Sequence, residues 1–260
     1  MGNKKEEKVA LVFGGAGELG KAVVRFLARE QHVVFFTSRK SRKRLREDIV
    51  RETGNRKVFF EKCSPVKELQ VTNVVKKVLS RFGRIDWLLN FAGYDRDFNV
   101  LREAEPSASI IPQVRKVIEV DLLGSVIPVF VVEPIMRKQG QGTIITLGTT
   151  SVLDASDKNL VYQIARAGVK QMTASIRSRH RREGIRGINI VHLALGSVRN
   201  RTTFGVLNRN QRREIDRKGW LDANEDVAPF VYAILRNKVK PDEEGVIRFD
   251  AKTRWDYESN

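Results

Sequence analysis

Residues 9–29 read VALVFGGAGELGKAVVRFLAR, and this stretch decides the fold. Val9-Ala10-Leu11-Val12-Phe13 is a short apolar run that reads as a strand. A glycine-rich turn follows, Gly14-Gly15-Ala16-Gly17-Glu18-Leu19-Gly20, and then Ala22, Val23, Val24, Phe26, Leu27 and Ala28 recur at helical spacing. Strand, tight turn and helix together suit a nucleotide diphosphate. Glycines let the backbone approach the phosphates, and the helix start offers free N–H groups and a positive dipole end. An ordinary strand-to-helix turn is the competing reading, so the rest of the chain has to weigh between the two.

Outward from this unit, short apolar runs and helical patterns alternate. His32–Phe36 reads as the second strand, ending at Thr37-Ser38-Arg39-Lys40. Ser38 or Ser41 is placed to cap the next helix, which runs to about Thr53 and stops at Gly54. Val58-Phe59-Phe60 is the third strand and Val66–Phe82 a helix ending at Gly83. Ile85–Leu89 is the fourth strand, running into Asn90-Phe91-Ala92-Gly93. The pattern predicts a helix over Gln113–Leu123 that continues through Val126–Met136, bent or interrupted by Pro128 and Pro134. Strands at Thr143–Leu147 and Ile188–Leu193 flank a helix over Leu160–Arg182, and a helix at Glu225–Leu235 and a strand at Val246–Phe249 follow. The alternation, with no linker-like composition and no internal repeat, calls for an α/β fold. We expect a Rossmann-like doubly wound parallel sheet of about seven strands, helices on both faces, in one domain over residues 1–260.

In such a sheet the end of the second strand meets the adenosine ribose of a dinucleotide. An acid there selects NAD(H), and a basic residue suits the 2′-phosphate of NADP(H). No acid occurs before Glu47, and Ser38, Arg39, Lys40 and Arg42 are at hand, which favours NADP(H) over NAD(H). A basic helix start with no ligand is the competing reading.

The chain carries 48 Lys+Arg against 31 Asp+Glu, a net charge of +17, which attracts anions: phosphorylated ligands, nucleic acid or anionic membrane surfaces. The charge is clustered at Arg39–Arg46, where six of eight residues are basic, at Arg177–Arg182, and between Arg199 and Lys218. Solvated surface explains these clusters as well, since Arg44-Leu45-Arg46-Glu47-Asp48 brings its own acids. The aromatics are not interleaved with the basic clusters, as a base-stacking surface would need. The single cysteine, Cys63, forbids an intrachain disulfide and fits a reducing compartment such as the cytoplasm. Residues 1–8 lack the apolar core of a signal peptide. The most apolar stretch, Leu122–Met136, is too short to span a bilayer, so no membrane span is expected. His32, His180 and His192 are scattered and read as structural, so no metal is expected. Gly148-Thr149-Thr150-Ser151 does not form the nucleophile elbow of a serine hydrolase.

From residue 7 to 250 the sequence resembles the single-domain short-chain dehydrogenase/reductase family. Gly14–Gly20 is similar to its cofactor loop and Asn90-Phe91-Ala92-Gly93 to its Asn-Asn-Ala-Gly segment. Gly142–Thr149 is similar to its serine strand, Tyr162-Gln163-Ile164-Ala165-Arg166 to its Tyr-x-x-x-Lys, and Leu195-Gly196 to its Pro-Gly pair. The resemblance implies cofactor contacts at Gly14, Gly15, Ala16, Glu18, Leu19, Gly20, Asn90, Ala92, Gly93, Gly196 and Val198, besides Ser38, Arg39 and Lys40. It implies an acid/base tyrosine at Tyr162, which also lies against the cofactor. It implies a segment covering the substrate at residues 196–220, and a homodimer or homotetramer paired through the helices at Gln113–Met136 and Leu160–Arg182.

The chemistry positions depart from the family pattern. Arg166 stands for the lysine that favours tyrosinate and bonds the nicotinamide ribose. A guanidinium keeps the charge but effectively never deprotonates, so it cannot relay a proton. Tyr162 and Arg166, at i and i+4, share a helix face. Thr149, thirteen residues before Tyr162, fills the serine position, and Asp121 fills that of an asparagine that anchors a water. Asp121 is placed to pair with Arg166, which would offset the help Arg166 gives Tyr162. Glu18 replaces the middle glycine of the loop, Phe13 a threonine, and Ser64 an adenine-binding aspartate. Two functions therefore stand side by side. One is an NADP(H)-dependent carbonyl reductase or alcohol dehydrogenase with Tyr162 as acid/base, Thr149 orienting the carbonyl and Arg166 holding the ribose. The other is a catalytically weak or inactive family member that binds nucleic acid or an acidic partner.

Overall fold

β1 (Val9–Phe13) is buried along its whole length. Ala10 and Val12 join one apolar layer, while Val9, Leu11 and Phe13 join the other, so the run is continuously apolar rather than alternating. The computed structural model describes residues 6–93, 111–154, 160–199, 213, 216–217 and 219–254. After β1 come α1 (Glu18–Arg29), β2 (Val33–Ser38), α2 (Lys43–Thr53), β3 (Val58–Lys62), α3 (Glu68–Phe82) and β4 (Trp87–Asn90). The second half holds α4 (Ile111–Val117), α5 (Gly124–Gln139), β5 (Gly142–Thr149), α6 (Leu160–Arg182), β6 (Ile188–Leu195), α7 (Ala228–Leu235) and β7 (Val246–Phe249).

The sheet order is β3-β2-β1-β4-β5-β6-β7, with every neighbouring pair parallel. Helices α1, α2 and α7 cover one face through Val23, Leu27, Ile49 and Val231. Helices α3, α5 and α6 cover the other through Val74, Val132, Met136 and Ile176. The chain order reverses between β1 and β4, and the crevice for a ligand in such a sheet lies beyond the carboxyl ends of the strands at that point.

The structure corrects several sequence expectations. Neither Ser38 nor Ser41 caps α2; Arg42 is its N-cap and gives no side-chain cap, while Ser38 Oγ accepts from the Lys40 N–H at 3.4 Å. β4 starts at Trp87, because the backbone of Ile85 is taken by the Gln139 side chain, at 3.0 and 2.9 Å. β5 and β6 run two residues further than expected, since Gly148 pairs with Ala194 and Thr149 with Leu195. The two prolines do not interrupt α5. The irregularity lies ahead of them, where Ile118–Leu123 form a π-helical turn and the Gly124 N–H reaches back to the Glu119 carbonyl. Pro128 lacks the N–H that would bond the Gly124 carbonyl. That carbonyl accepts Asn90 Nδ2 at 2.8 Å instead. Most of the expected covering segment lies outside the described residues, with Arg201, Arg209, Arg212 and Lys218 of the third basic cluster.

Candidate cofactor and active site

The turn between β1 and α1 is as tight as its glycines allow. Gly14 has φ +71°, and a Cβ there would lie 2.6 Å from the Ala92 nitrogen. A Cβ on Gly20 would press into the Gly14 carbonyl. The turn therefore packs directly on the Phe91-Ala92 backbone beyond β4, at the reversal of strand order. α1 starts from Gly17 with no side-chain cap, and Lys21 N–H donates to the Gly17 carbonyl at 2.7 Å. An uncapped, glycine-lined helix start is a cradle for a phosphate. Glu18 is half-buried in the first turn of α1, where its charge complements the helix dipole. Ala16 and Leu19 pack against the core from the same turn.

At the end of β2, Arg39 and Lys40 are exposed. They lead into a groove of about 450 Å³ lined by Ser41, Arg42, Lys43, Arg44, Leu45 and Asp48, at the uncapped start of α2. Ser64, in the adenine-side position, is fixed by its N–H donating to Gln70 Oε1 at 2.8 Å.

Across the crevice, α6 presents Tyr162 half-buried and Arg166 only 2% exposed. The Arg166 guanidinium lies 5.1 Å from the Tyr162 ring centroid. It donates to Asp121 Oδ1 at 2.7 Å and the Leu147 carbonyl at 3.0 Å, and approaches the Ala92 carbonyl at 3.5 Å. Asp121 is fully buried, and the π-helical turn is what carries it. Gly93 makes room for the pair, since a Cβ there would lie 2.6 Å from Arg166 Nη2. Burial works against the charge of Arg166, but Tyr162 and then Asp121 outweigh it and raise the guanidinium above its ordinary range. The expected ion pair with Asp121 is present. The guanidinium is turned to protein acceptors and is almost wholly buried.

Thr149 ends β5, half-buried, and its Oγ1 accepts from the Ser151 N–H at 3.3 Å. That contact occupies a lone pair and leaves the O–H to donate elsewhere. Asn90 ends β4, paired with Phe13 and Thr146. Its side chain is spent on the Gly124 carbonyl and on the Ala92 N–H, at 2.8 and 3.0 Å. Gly196 is held by its N–H donating to the Phe249 carbonyl at 2.8 Å. Val198 forms an isolated parallel bridge with Leu221. The roles of Gly93 and of Asn90 toward Gly124 escaped the sequence reading. For the second, a proline four residues after Gly124 was the available signal.

A model of the short chain dehydrogenase family matches residues 8–210. The chain belongs to that family. This short-chain dehydrogenase is 26% identical to carbonyl reductase family member 4 of Xenopus laevis over 230 residues, 88% of this chain and 92% of that one. It is 26% identical to the 3-oxoacyl-[acyl-carrier-protein] reductase of Homo sapiens over 211 residues, 80% of this chain and 83% of that one. The solved structure of ElxO with NADP bound shares the fold, with TM-score 0.80 at 21% identity, covering 98% of this chain and 100% of that one.

Other polar clusters of this short-chain dehydrogenase hold its own elements together. His32 lies between the Lys8 N–H and the Tyr232 hydroxyl, each at 3.2 Å. His180 meets Glu133 Oε1 at 2.6 Å, and Arg179 meets the same oxygen at 3.0 Å. His192 is fully buried beside Thr146 Oγ1 at 3.2 Å. Burial, helped by the charges of Arg166 and Lys170, pushes it down to about 3, so it stays neutral. In the second basic cluster, Arg177 donates to the Ile190 carbonyl at 3.1 Å and Arg181 to the Glu243 carbonyl at 3.0 Å. Among the described residues, no helix is long and apolar enough to cross a membrane.

Proposed function

We propose that this chain is an NADP(H)-dependent carbonyl reductase or alcohol dehydrogenase with Tyr162 as its acid/base. The observation that carries the reading is the buried guanidinium of Arg166, fixed by Asp121 and Leu147 beside the Tyr162 ring. The fixed positive charge favours the phenolate that forms as Tyr162 gives up its proton, and the paired carboxylate of Asp121 offsets part of that help. Thr149 has its hydroxyl proton to spare and is the group that orients a carbonyl oxygen. When bound, a nicotinamide supplies the hydride. The chain's own part is the proton at the carbonyl oxygen, passed from Tyr162. Because Arg166 cannot relay protons, Tyr162 is recharged from solvent rather than through its i+4 neighbour.

The residues present fit the cofactor. Gly14 and Gly20 give a close backbone approach at an uncapped helix start, and Arg39, Lys40 and the groove at Arg42–Arg44 suit a 2′-phosphate. The NADP carried by the structural neighbour ElxO supports the same choice. Exposed apolar side chains on α5 and α6, Phe130 and Ile164, support a homodimer or homotetramer. A nucleic-acid or acidic-partner role finds less support, because Arg177, Arg179 and Arg181 of the second basic cluster are used to tie α6 to its neighbours.

Titration with NADPH and NADH, followed by nicotinamide fluorescence and thermal shift, tests the reading. We expect micromolar NADPH binding, weaker NADH binding, and a Tyr162→Phe variant that binds NADPH as before but reduces carbonyls about a hundredfold more slowly. Absence of binding by both nucleotides overturns it.

A further inference from the structure

β7 ends in a guanidinium that reaches back to the site. Arg248 Nη1 and Nη2 donate to the two carboxylate oxygens of Asp154, at 2.7 and 2.9 Å, and its Nε donates to Asp250 Oδ2 at 2.7 Å. Asp154 closes the turn that follows Thr149. The N–H groups of Leu153 and Asp154 both donate to the Thr150 carbonyl, at 2.9 and 3.0 Å. The Ser151 N–H, inside this turn, donates to Thr149 Oγ1.

The base of this tie is rigid. Asp250 Oδ1 accepts the N–H groups of Lys252 and Thr253, each at 3.0 Å. Phe249 stacks on Phe230 with ring centroids 3.7 Å apart, and its carbonyl accepts the Gly196 N–H. The turn after Thr149 is therefore the piece being held, and β7 is what holds it.

We propose that Arg248 is a positioning residue for Thr149: through Asp154 it holds the turn Thr150–Asp154 so that the Ser151 N–H occupies a lone pair of Thr149 Oγ1 and leaves the Thr149 O–H to the substrate oxygen. The proposal rests on the reading of Thr149 given under the proposed function. An ordinary exposed ion pair contributes little, and Arg248 and Asp154 are 39% and 52% exposed. This one differs in geometry. The pairing is bidentate, the form in which a guanidinium fixes direction as well as charge, and a second carboxylate aims the same fork. Three of the five N–H donors of Arg248 serve aspartates.

The test uses the full chain with Arg248→Met, which keeps the apolar stem, Arg248→Lys, which keeps the charge without the fork, and Asp154→Asn, which removes the partner charge. Three quantities are read: amide hydrogen exchange over residues 149–154, NADPH affinity, and NADPH-dependent reduction of a 3-oxoacyl thioester of N-acetylcysteamine and of an aromatic diketone. Arg248→Met is expected to speed exchange at Ser151 and Leu153 about tenfold. It should lower kcat about tenfold and leave KM and NADPH affinity within about twofold. Arg248→Lys should restore part of kcat, and Asp154→Asn should match Arg248→Met, which guards against a variant that simply misfolds. Unchanged exchange, or faster exchange with unchanged kcat, in a working wild-type background overturns the positioning role alone. A wild-type chain that binds no NADPH and reduces neither probe overturns the proposed function, and the role of Arg248 falls with it.

Discussion

Arg166 shows how far one side chain can stand in for another. A lysine at this position offers a compact, rotatable ammonium, whereas the guanidinium presents a planar fork that seeks carboxylate and carbonyl oxygens. In this chain it finds Asp121 and the Leu147 carbonyl, both buried with it. The pair is coupled, because removing the cation takes a charged donor from a carboxylate that is fully buried. Arg166→Met is expected to cost about 3–5 kcal/mol in urea unfolding, and Arg166→Met with Asp121→Asn to recover at least about half of that, since the buried carboxylate charge that lost its cation is gone. Simple addition of the two single losses would show that the pair is not coupled. The partners were legible in the sequence: Tyr162 and Arg166 lie one helical turn apart, and Asp121 sits at the position that faces them in the family pattern. The inward turn of the guanidinium was not legible. It depends on the space that Gly93 leaves, and the sequence marked that glycine only as part of the Asn-Phe-Ala-Gly segment, not as a neighbour of Arg166.

At the scale of elements, the strand–helix alternation was read correctly because the central strands are short apolar runs buried on both faces and the helices between them carry an apolar stripe. The path from α4 to α5 was misread. Prolines inside a helical pattern predict a break, yet the break costs little when another group takes the carbonyl that the proline cannot serve. Asn90 does this from β4, 34 residues away in sequence. Pro128 signals only that the Gly124 carbonyl needs another donor; which side chain supplies it is not local, because the contact joins a strand end to a helix start. A double-mutant cycle isolates it. Asn90→Leu leaves the Gly124 carbonyl buried without its donor and is expected to cost about 1–3 kcal/mol. Pro128→Ala restores a backbone N–H four residues after Gly124. In the Asn90→Leu background it should therefore stabilise more than it does in the native background. Equal effects of Pro128→Ala in both backgrounds, measured by urea unfolding, would disconnect Asn90 from the proline.

At the scale of the whole molecule, charge and apolar surface oppose each other. Two copies of a chain carrying +17 repel at long range. Yet the outer faces of α5 and α6 expose Phe130 at 60% and Ile164 at 63%, with Leu160 at 41% on the same helix as Ile164. Apolar side chains this open, on neighbouring helices of one layer, fit association with a second copy through that layer. The two terms respond oppositely to salt. Repulsion is screened over a Debye length of about 8–10 Å near physiological ionic strength, whereas apolar burial is not weakened by salt. Light scattering coupled to size exclusion should therefore give a dimer that tightens as NaCl rises from low to moderate concentration. Phe130→Asp with Ile164→Asp should yield a folded monomer at every salt concentration. A dimer that loosens with salt would mean that charge pairs hold the copies together, and a dimer that survives both substitutions would place the interface on another face of the sheet.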